Sequence, residues 1–318
     1  MKDSQGRTIN YMRISITDRC NLRCSYCMPD GIDTVDMDQI LTYEEIVAIC
    51  QEASALGINT IRITGGEPLV RKGAPALVGM IKAIPGIEKV YMTTNGSLIP
   101  EYMSELIENG IDGINISLDS TNRDTYKKIT GRDLYASVME GIQMVMKSKV
   151  KLKLNTVIMD NDNYKDMLLF ARDNPVCVRF IELMPLGVAR KMEGTDYQEI
   201  LSYIDKNYPG REWDNSPYGN GPARYLTIPG FEGKVGFISP IHENFCNQCN
   251  RIRLTSTGEI KPCLCYGTSI DVKTPLRAGD MKEVRNRLIY SIQKKPCAHC
   301  FDRPEEVSEQ KKMVSIGG

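Results

Sequence analysis

Short segments with strand character alternate with segments of helical periodicity in the N-terminal part of the chain, and this alternation strongly constrains the fold. The predicted strands are Tyr11–Thr17, Thr60–Thr64, Lys89–Thr93, Gly113–Ser117, Lys151–Ile158 and Val176–Leu183. The predicted helices between them are Thr42–Leu56, a segment ending near Ile84, Pro100–Asn109, Leu134–Lys147 and Tyr164–Asp173. This order is typical of βαβ units and a parallel sheet. Because six units are too few to close an eight-stranded barrel, we predict an α/β fold built on an open, partial (β/α)6 TIM-like barrel.

Three cysteines follow the first predicted strand in a C-x3-C-x2-C spacing, namely Cys20, Cys24 and Cys27. Thiolates are soft ligands that favour iron–sulfur clusters, zinc or Cu(I). Three thiols on one tight loop can hold three irons of a 4Fe–4S cluster and leave the fourth iron open to a small molecule. A structural zinc ion normally takes four protein ligands, and this loop lacks the fourth. The spacing therefore favours a cluster with one open iron.

Composition excludes several classes of protein. The chain has 40 basic and 40 acidic residues, whereas a protein that binds nucleic acid usually has a basic excess. Eleven cysteines in 318 residues are too few for a disulfide scaffold, and their clustering indicates metal binding. The residues after Met1 do not resemble a signal peptide, and no apolar run approaches the length of a membrane span. We therefore expect a cytoplasmic protein.

Basic residues occupy predicted strands, where a parallel sheet should be apolar. They are Arg13, Arg62, Lys153 and Arg179. A buried charge is costly unless it is paired, so either each residue forms its own salt bridge or all four face a cavity that receives an anion. Four cations on separate strands favour the second alternative and a phosphorylated ligand. Arg179 is the weakest member, because Glu182 could pair with it.

A second group of cysteines lies beyond a candidate domain boundary at Pro229 and Gly230, which divides the chain into residues 1–230 and 231–318. Cys246, Cys249 and Cys263 are spaced C-x2-C-x13-C, and Gly258 marks a predicted hairpin that returns Cys263 toward the first two. Cys265 stands two residues further on, and on a strand it would face the same side as Cys263. The four thiols together could also form a zinc knuckle, and the spacing leaves both alternatives open.

The motifs together resemble the radical S-adenosylmethionine (SAM) superfamily and, more narrowly, its GTP 3′,8-cyclase family of molybdenum-cofactor biosynthesis. The resemblance extends from Tyr11 to the end of the chain. It is carried by the first cysteine motif with Tyr26, by R-I-T-G-G-E-P-L and T-T-N-G, by the second cysteine set with an R-x-R, and by the terminal Gly-Gly. It implies a barrel with a C-terminal module that carries a second cluster. The implied reaction converts GTP, with SAM and a reductant, to (8S)-3′,8-cyclo-7,8-dihydroguanosine 5′-triphosphate.

The resemblance also implies a role for individual residues. The implied ligands of two 4Fe–4S clusters are Cys20, Cys24 and Cys27 for the first and Cys246, Cys249 and Cys263 for the second. The implied SAM contacts are Tyr26, Gly66, Ser117 and Met184. The implied GTP contacts are Arg13, Arg62, Thr93, Lys153, Arg251 and Arg253, with the guanine ring at the open iron of the second cluster. The Gly317-Gly318 tail is implied to enter the active site and to be required for cyclisation.

Partners follow from the same resemblance, and two other functions stay open. The implied partners are a flavodoxin- or ferredoxin-type electron donor, the downstream cyclic pyranopterin monophosphate synthase and a second copy of the chain in a homodimer. The first alternative is a peptide-modifying radical SAM enzyme with an auxiliary cluster, and the second is a zinc-stabilised binding module. Cys297-Ala-His299-Cys300 departs from the family pattern, and we interpret its cysteines as free thiols.

Overall fold

The computed structural model describes residues 1–31, 35–159, 162–214 and 221–317, and in this part of the chain it contains a 12-stranded sheet. The strands are β1 Tyr11–Ser15, β2 Thr60–Thr64, β3 Lys89–Thr94, β4 Gly113–Ser117, β5 Lys151–Ile158, β6 Cys177–Glu182, β7 Glu212–Asp214, β8 Arg224–Thr227, β9 Lys234–Ile238, β10 Arg251–Leu254, β11 Glu259–Lys261 and β12 Ile270–Asp271. Their order across the sheet is β12-β11-β10-β1-β2-β3-β4-β5-β6-β9-β8-β7. The two edge strands are therefore β12 and β7, and the sheet is open.

The α-helices of the described residues are α1 Tyr43–Ala55, α2 Ala74–Lys82, α3 Ile99–Glu108, α4 Arg123–Thr130, α5 Tyr135–Met146, α6 Asn163–Asp173, α7 Tyr197–Asn207, α8 Lys273–Arg277 and α9 Met281–Gln293, and the last two follow β12. All six predicted strands are confirmed, with ends that differ by two residues or fewer. The open α/β barrel is likewise confirmed. Helices α4, α8 and α9 were not predicted. None of the described helices is long and apolar enough to cross a membrane.

The C-terminal part of the chain extends the parallel sheet at both sides, which the sequence analysis did not predict. Strand β10 pairs in parallel with β1, and β9 pairs in parallel with β6. The predicted hairpin is present, since β10 and β11 pair antiparallel around Gly258. Pro229 and Gly230, the candidate boundary, lie between β8 and β9, which pair within the same sheet. The residues of the second cysteine set are thereby attached directly to the barrel.

Local sequence explains how the helices begin and pack. Helix α1 starts at a capping box, in which Thr42 Oγ1 accepts a hydrogen bond from the Glu45 backbone N–H at 3.2 Å. Glu45 Oε2 in turn accepts from the Thr42 backbone N–H at 2.8 Å. One turn further on, Ile46 and Ile49 are completely buried in the core between helix and sheet. The apolar face of α1 therefore sets its orientation on the barrel.

Apolar and polar side chains alternate along the strands, so the sheet has one face toward the hydrophobic core and one polar face. Met12 and Ile14 of β1 are completely buried in the hydrophobic core, and Arg13 between them points to the opposite face, as the two-residue period of a strand requires. Strand β2 repeats the pattern around Arg62. In the sheet register Arg13 is the neighbour of Arg62 on one side and of Arg253 on the other. Three adjacent strands thus present a row of three arginines on the inner face.

Candidate active site

One cavity of ≈ 350 Å³ lies on the inner face of the barrel and contains most of the residues singled out in the sequence. The predicted site residues that line it are Arg13, Cys20, Cys24, Tyr26, Cys27, Arg62, Gly66, Thr93, Ser117, Met184, Cys246, Cys249, Arg251, Arg253 and Cys263. Lys153 is not among the lining residues, and its Nζ donates to Tyr225 Oη at 3.1 Å. The two cysteine sets and the row of arginines therefore open into the same space.

The first cysteine loop is held against the G-G-E-P segment by close backbone contact. A Cβ on Gly66 would lie 2.4 Å from the Arg19 carbonyl oxygen, so this approach requires glycine. Glu67 is completely buried and accepts hydrogen bonds from the Asn95 backbone N–H at 2.6 Å and from Thr94 Oγ1 at 2.8 Å. Burial raises the pKa of Glu67 to about 7. Glu67 thus connects the G-G-E-P and T-T-N-G loops below the cavity.

Burial raises the pKa of each thiol in the first loop. It raises the pKa of Cys27 to about 11 and that of Cys24 well above its usual range. A metal cluster would displace these protons, because the thiolate is the ligand. The neighbouring Tyr26 is also buried, and its hydroxyl donates to Asp119 Oδ2 at 2.9 Å. The hydrogen bond of Tyr26 helps to order the loop. Its three cysteines form no disulfide and are free to bind a metal group.

The second cysteine set has a different electrostatic environment. Burial raises the pKa of Cys249, but the nearby Arg251 and Lys295 outweigh it and leave the pKa at about 6. Arg251 Nη2 lies 3.7 Å from Cys249 Sγ. Cys246 is held through its carbonyl oxygen, which accepts from Arg7 Nη1 at 2.8 Å. The side chains of this region therefore favour thiolate at Cys249.

The spacing of the sulfurs tests which metal group fits. Two ligand atoms of one zinc ion lie at most about 4.6 Å apart, which is twice the Zn–S distance. Among the described residues, the one group of three or more candidate ligands with all atoms within 4.8 Å of one another contains no cysteine; it is Glu182, Asp196 and His242. In neither cysteine set do all three sulfurs gather this closely. A polynuclear cluster fits better, because each thiolate then binds a different iron.

Four arginines that line the cavity have no ion pair with a carboxylate in the described part of the chain. Within the described part of the chain, no carboxylate lies within 4.0 Å of Arg62, Arg179, Arg251 or Arg253 in an ion pair. Burial and the neighbouring Arg251 lower the pKa of Arg253 to about 10. Uncompensated positive charge in a buried cavity is costly unless an anion enters. The alternative of separate salt bridges is therefore wrong for Arg62 and Arg179, two of the four strand residues for which it was considered.

Two asparagines of the polar face complete the floor of the cavity and were missed in the sequence analysis. Asn155 Oδ1 accepts from Arg179 Nη2 at 2.5 Å, and Asn115 lies next to both Arg62 and Arg179 once its amide is oriented with oxygen toward them, at 2.8 and 2.7 Å. Both line the cavity. A signal was present, because each is a polar residue at an inward position of a strand that carries other polar residues.

The C-terminal tail reaches the cavity between the two cysteine sets. Val314 lines the cavity, and its backbone N–H forms a hydrogen bond with Cys27. Gly317 has φ +75°, and a Cβ there would lie 2.9 Å from Thr64 Oγ1. The Gly317 carbonyl oxygen accepts from Arg253 Nη1 at 2.7 Å. Gly318, for which the resemblance implies a catalytic role, lies outside the described residues.

The tail is attached to the body of the protein at several points before it reaches the cavity. Glu309 forms a buried ion pair with Lys261 at 2.5 Å. Arg190 donates to the carbonyl oxygens of Val307 and Glu309 at 2.6 and 2.7 Å. Lys312 Nζ donates to the Gly31 carbonyl oxygen at 2.8 Å. These contacts leave little freedom for the last residues, so their position at the cavity is part of the fold.

Two expectations of the sequence analysis are wrong. Cys263 and Cys265 do not face the same side, because β11 ends at Lys261 and the following residues bend. Cys263 lines the cavity, whereas Cys265 is buried in a separate apolar cluster with its Sγ 3.2 Å from Cys300 Sγ.

The second expectation that is wrong is an ion pair between Glu182 and Arg179. Glu182 lies 2.6 Å from His242 Nδ1 and accepts from the Ile241 backbone N–H at 2.9 Å. Arg179 instead turns inward to the asparagines and lines the cavity. The side chain of Glu182 thereby orders the loop that follows β9.

Comparison with known proteins identifies the class of protein. Residues 14–173 match the radical SAM superfamily, and residues 176–301 match the family described as Molybdenum Cofactor Synthesis C. The fold is similar to Streptococcus suis SuiB bound to S-adenosylmethionine, with a TM-score of 0.64, 13% identity, and coverage of 97% of this chain and 77% of that one. It is also similar to anSMEcpe with bound AdoMet, with a TM-score of 0.60, 15% identity, and coverage of 96% and 89%. The chain is a radical SAM protein.

Relatives that match the whole chain identify its family within this superfamily. The chain is 42% identical over 323 residues to the GTP 3′,8-cyclase of Clostridium perfringens (strain 13 / Type A), with 100% of both chains covered. It is 41% identical over 327 residues to the GTP 3′,8-cyclase of Moorella thermoacetica, again over 100% of both chains. The chain therefore belongs to the GTP 3′,8-cyclase family, as its motifs indicated.

Proposed function

We propose that this protein converts GTP to (8S)-3′,8-cyclo-7,8-dihydroguanosine 5′-triphosphate with SAM and a reductant, the first step of molybdenum-cofactor biosynthesis. The observation that carries the proposal is the shared cavity. One wall has three thiols and the SAM-motif segments, the opposite wall has three further thiols, and the floor has a row of arginines. This arrangement suits a reaction that joins two parts of one anionic nucleotide.

The first wall is assigned to SAM. Cys20, Cys24 and Cys27 would hold a 4Fe–4S cluster, which when bound supplies the electron that cleaves SAM to a 5′-deoxyadenosyl radical. Tyr26, Gly66, Ser117 and Met184 line the same cavity and would hold SAM. The buried Glu67 stiffens the loops that carry them. Rigid loops serve this chemistry because a misplaced radical would react elsewhere.

The floor is assigned to the triphosphate. Arg13, Arg62 and Arg253 stand in register on adjacent strands, and Arg guanidinium groups bind phosphate oxygens with two parallel hydrogen bonds. Thr93 lines the cavity beside them, and Lys153 lies one strand beyond Asn115. A triphosphate would satisfy several cations at once, which would explain why Arg62 and Arg253 have no carboxylate partner among the described residues. The binding of the phosphates then fixes where the ribose and base lie.

The opposite wall is assigned to the base. Cys246, Cys249 and Cys263 would hold a second 4Fe–4S cluster, whose open iron would contact guanine. Arg251 lies beside Cys249, and its guanidinium stands over the Phe245 ring at 5.2 Å. Gly317, held by Arg253, closes the space between base and phosphates. The enclosed position would keep ribose C3′ near guanine C8 and exclude water while they join.

Further parts of the proposal concern organisation and partners. Residues 1–230 would form the SAM-binding barrel and residues 231–318 the module of the second cluster and tail. An external electron donor of the flavodoxin or ferredoxin type would reduce the first cluster. A cyclic pyranopterin monophosphate synthase would take the product, and the protein would form a homodimer.

The test uses the full chain reconstituted with iron and sulfide under anaerobic conditions. It is incubated with SAM, dithionite and GTP deuterated at C3′, and the products are separated and analysed by mass. We expect about eight iron per chain, a cyclised isomer of GTP, and deuterium in the 5′-deoxyadenosine. A peptide-modifying enzyme would show no saturable GTP binding and no deuterium transfer. A zinc module would contain almost no iron, and either result would contradict the proposal.

A further inference from the structure

His299 is held in one position beside the second cysteine set. Its backbone N–H donates to Cys246 Sγ at 3.3 Å. Its ring is flanked by Phe245 and Phe301, with ring centroids 6.2 and 4.7 Å away. The residue is 8% exposed and lines the active-site cavity. The ring is therefore a fixed part of the wall nearest Cys246.

One hydrogen bond assigns the proton on this ring. The Phe301 backbone N–H donates to His299 Nδ1 at 3.4 Å. A nitrogen that accepts a hydrogen bond carries no proton, so the ring is neutral and its proton is on Nε2. His299 Nε2 is therefore a hydrogen-bond donor.

This donor has no acceptor within the described protein. Nε2 is buried, and no oxygen, nitrogen or sulfur of the described residues accepts from it. A buried donor without an acceptor is costly and is rare in folded proteins. Because the nitrogen is shielded from solvent and the ring lines the cavity, a group bound in the cavity is where its acceptor would lie.

The neighbouring cationic side chains each have at least one partner within the protein. Lys295 Nζ donates to the carbonyl oxygens of Arg251 and Pro262 at 2.8 and 2.7 Å. Arg251 Nη2 contacts Cys249 Sγ. Arg253 Nη1 donates to Gly317. His299 Nε2 differs from them, because it is an uncharged donor with no partner among the described residues.

We propose that His299 Nε2–H donates to the 6-oxo group of the purine and makes the site selective for 6-oxopurine over 6-aminopurine triphosphates. The inference rests on the proposed function, in which the guanine ring lies at the second cysteine set. Guanine carries an acceptor at position 6, whereas adenine carries an amino donor there. With adenine, donor would face donor in a site closed to water, and neither hydrogen bond could form.

The test compares nucleotide binding by the anaerobically reconstituted full chain and two variants. His299→Phe keeps the ring between Phe245 and Phe301 but removes the donor, and His299→Gln keeps an N–H donor. Dissociation constants for GTP, ITP and ATP are measured by equilibrium dialysis. ITP shares the 6-oxo group of GTP but lacks its 2-amino group. We expect His299→Phe to weaken GTP and ITP binding about tenfold each and to leave ATP binding unchanged, with partial recovery in His299→Gln.

Iron content and the electron paramagnetic resonance spectrum of the nucleotide-free variants serve as controls. An equal loss of affinity for all three nucleotides would mean that the ring only packs, and the inference would be overturned. A changed cluster spectrum with unchanged GTP affinity would assign the donor to a cluster sulfide and also overturn it. If the wild type binds GTP and the variants keep its preference for GTP over ATP, this inference alone fails. If the wild type shows no saturable GTP binding, the proposed function fails and this inference falls with it.

Discussion

Arg253 Nη1 donates a hydrogen bond of 2.7 Å to the carbonyl oxygen of Gly317, and this contact joins the C-terminal tail to the row of arginines on the barrel floor. Arg253 belongs to β10, which pairs in parallel with β1 and places Arg253 beside Arg13. One guanidinium thus serves both the proposed triphosphate site and the tail. If Arg253 binds the triphosphate as proposed, the position of the tail and substrate binding are coupled through this side chain.

The first prediction concerns Gly317→Ala. Gly317 has φ +75°, and an added Cβ would lie 2.9 Å from Thr64 Oγ1, so the variant has to displace the tail. We expect SAM cleavage to 5′-deoxyadenosine to persist while the yield of cyclised nucleotide falls about tenfold or more. Both products are measured by chromatography in the same reaction. Gly279→Ala is a matched control, because Gly279 has φ +76° but no atom within 4 Å of its added Cβ. Full cyclisation by Gly317→Ala would remove the tail from the mechanism.

The second prediction concerns Arg7, which supports the second cysteine set from the N-terminal segment. Its guanidinium is buried, pairs with Asp3 at 2.6 Å, and donates to the carbonyl oxygens of Cys246, Pro296 and Cys297 at 2.8, 2.8 and 3.1 Å. Arg7→Met removes these donors and leaves the carbonyls unsatisfied. We expect iron content to fall from about eight toward about four per chain, while SAM cleavage by the first cluster is retained.

Arg7→Lys and an exposed arginine serve as comparisons for this experiment. Lys keeps the charge but cannot reproduce the planar set of donors, so Arg7→Lys should recover only part of the lost iron. Arg285→Met, on the exposed surface of α9, should retain about eight iron. Eight iron per chain in Arg7→Met, with an unchanged paramagnetic spectrum, would show that the N-terminal segment does not support the cluster.

The third prediction is a pH dependence of GTP binding. Burial, together with the neighbouring Arg179 and Arg62, lowers the pKa of Lys153 to about 8. The ammonium form attracts the triphosphate below this pKa, and the attraction is lost as pH rises through about 8. We therefore expect the dissociation constant for GTP to increase between about pH 7.5 and about pH 9. In Lys153→Arg the side chain stays charged, so the curve should be flat. A wild-type curve as flat as that of the variant would show that Lys153 does not contact the phosphates.

The fourth prediction separates Cys263 from Cys265. Cys263 lines the cavity, whereas Cys265 is completely buried in an apolar cluster against Cys300. We expect Cys263→Ala to lose the second cluster and retain about four iron per chain, and Cys265→Ala to keep about eight. Iron and sulfide analysis after anaerobic reconstitution checks both. Loss of iron in Cys265→Ala with full retention in Cys263→Ala would exchange the two assignments.

Much of the barrel could be predicted from the sequence because its determinants are local. The strand from Thr60 to Thr64 and the helix after Thr42 follow from side-chain periodicity and a capping box, which depend on residues only a few positions apart. Strands β9 and β10 escaped prediction as parts of the barrel, because their partners β6 and β1 are distant along the chain. The periodicity of a strand predicts which of its side chains are buried, but it does not show which distant strand is its partner.

Some features of the candidate site could likewise be predicted from the sequence, and others could not. Cysteine spacing alone placed three thiols on one loop, and motif resemblance marked Arg13, Arg62 and Arg253 for one ligand. The register of the arginines on adjacent strands, the inward asparagines, the different environments of Cys263 and Cys265, and the unsatisfied donor of His299 required the folded chain. The chemical character of a side chain is written in the sequence, but its neighbours and its burial come from contacts between residues far apart in the chain. Those contacts decide which charges meet and which donors remain for a substrate.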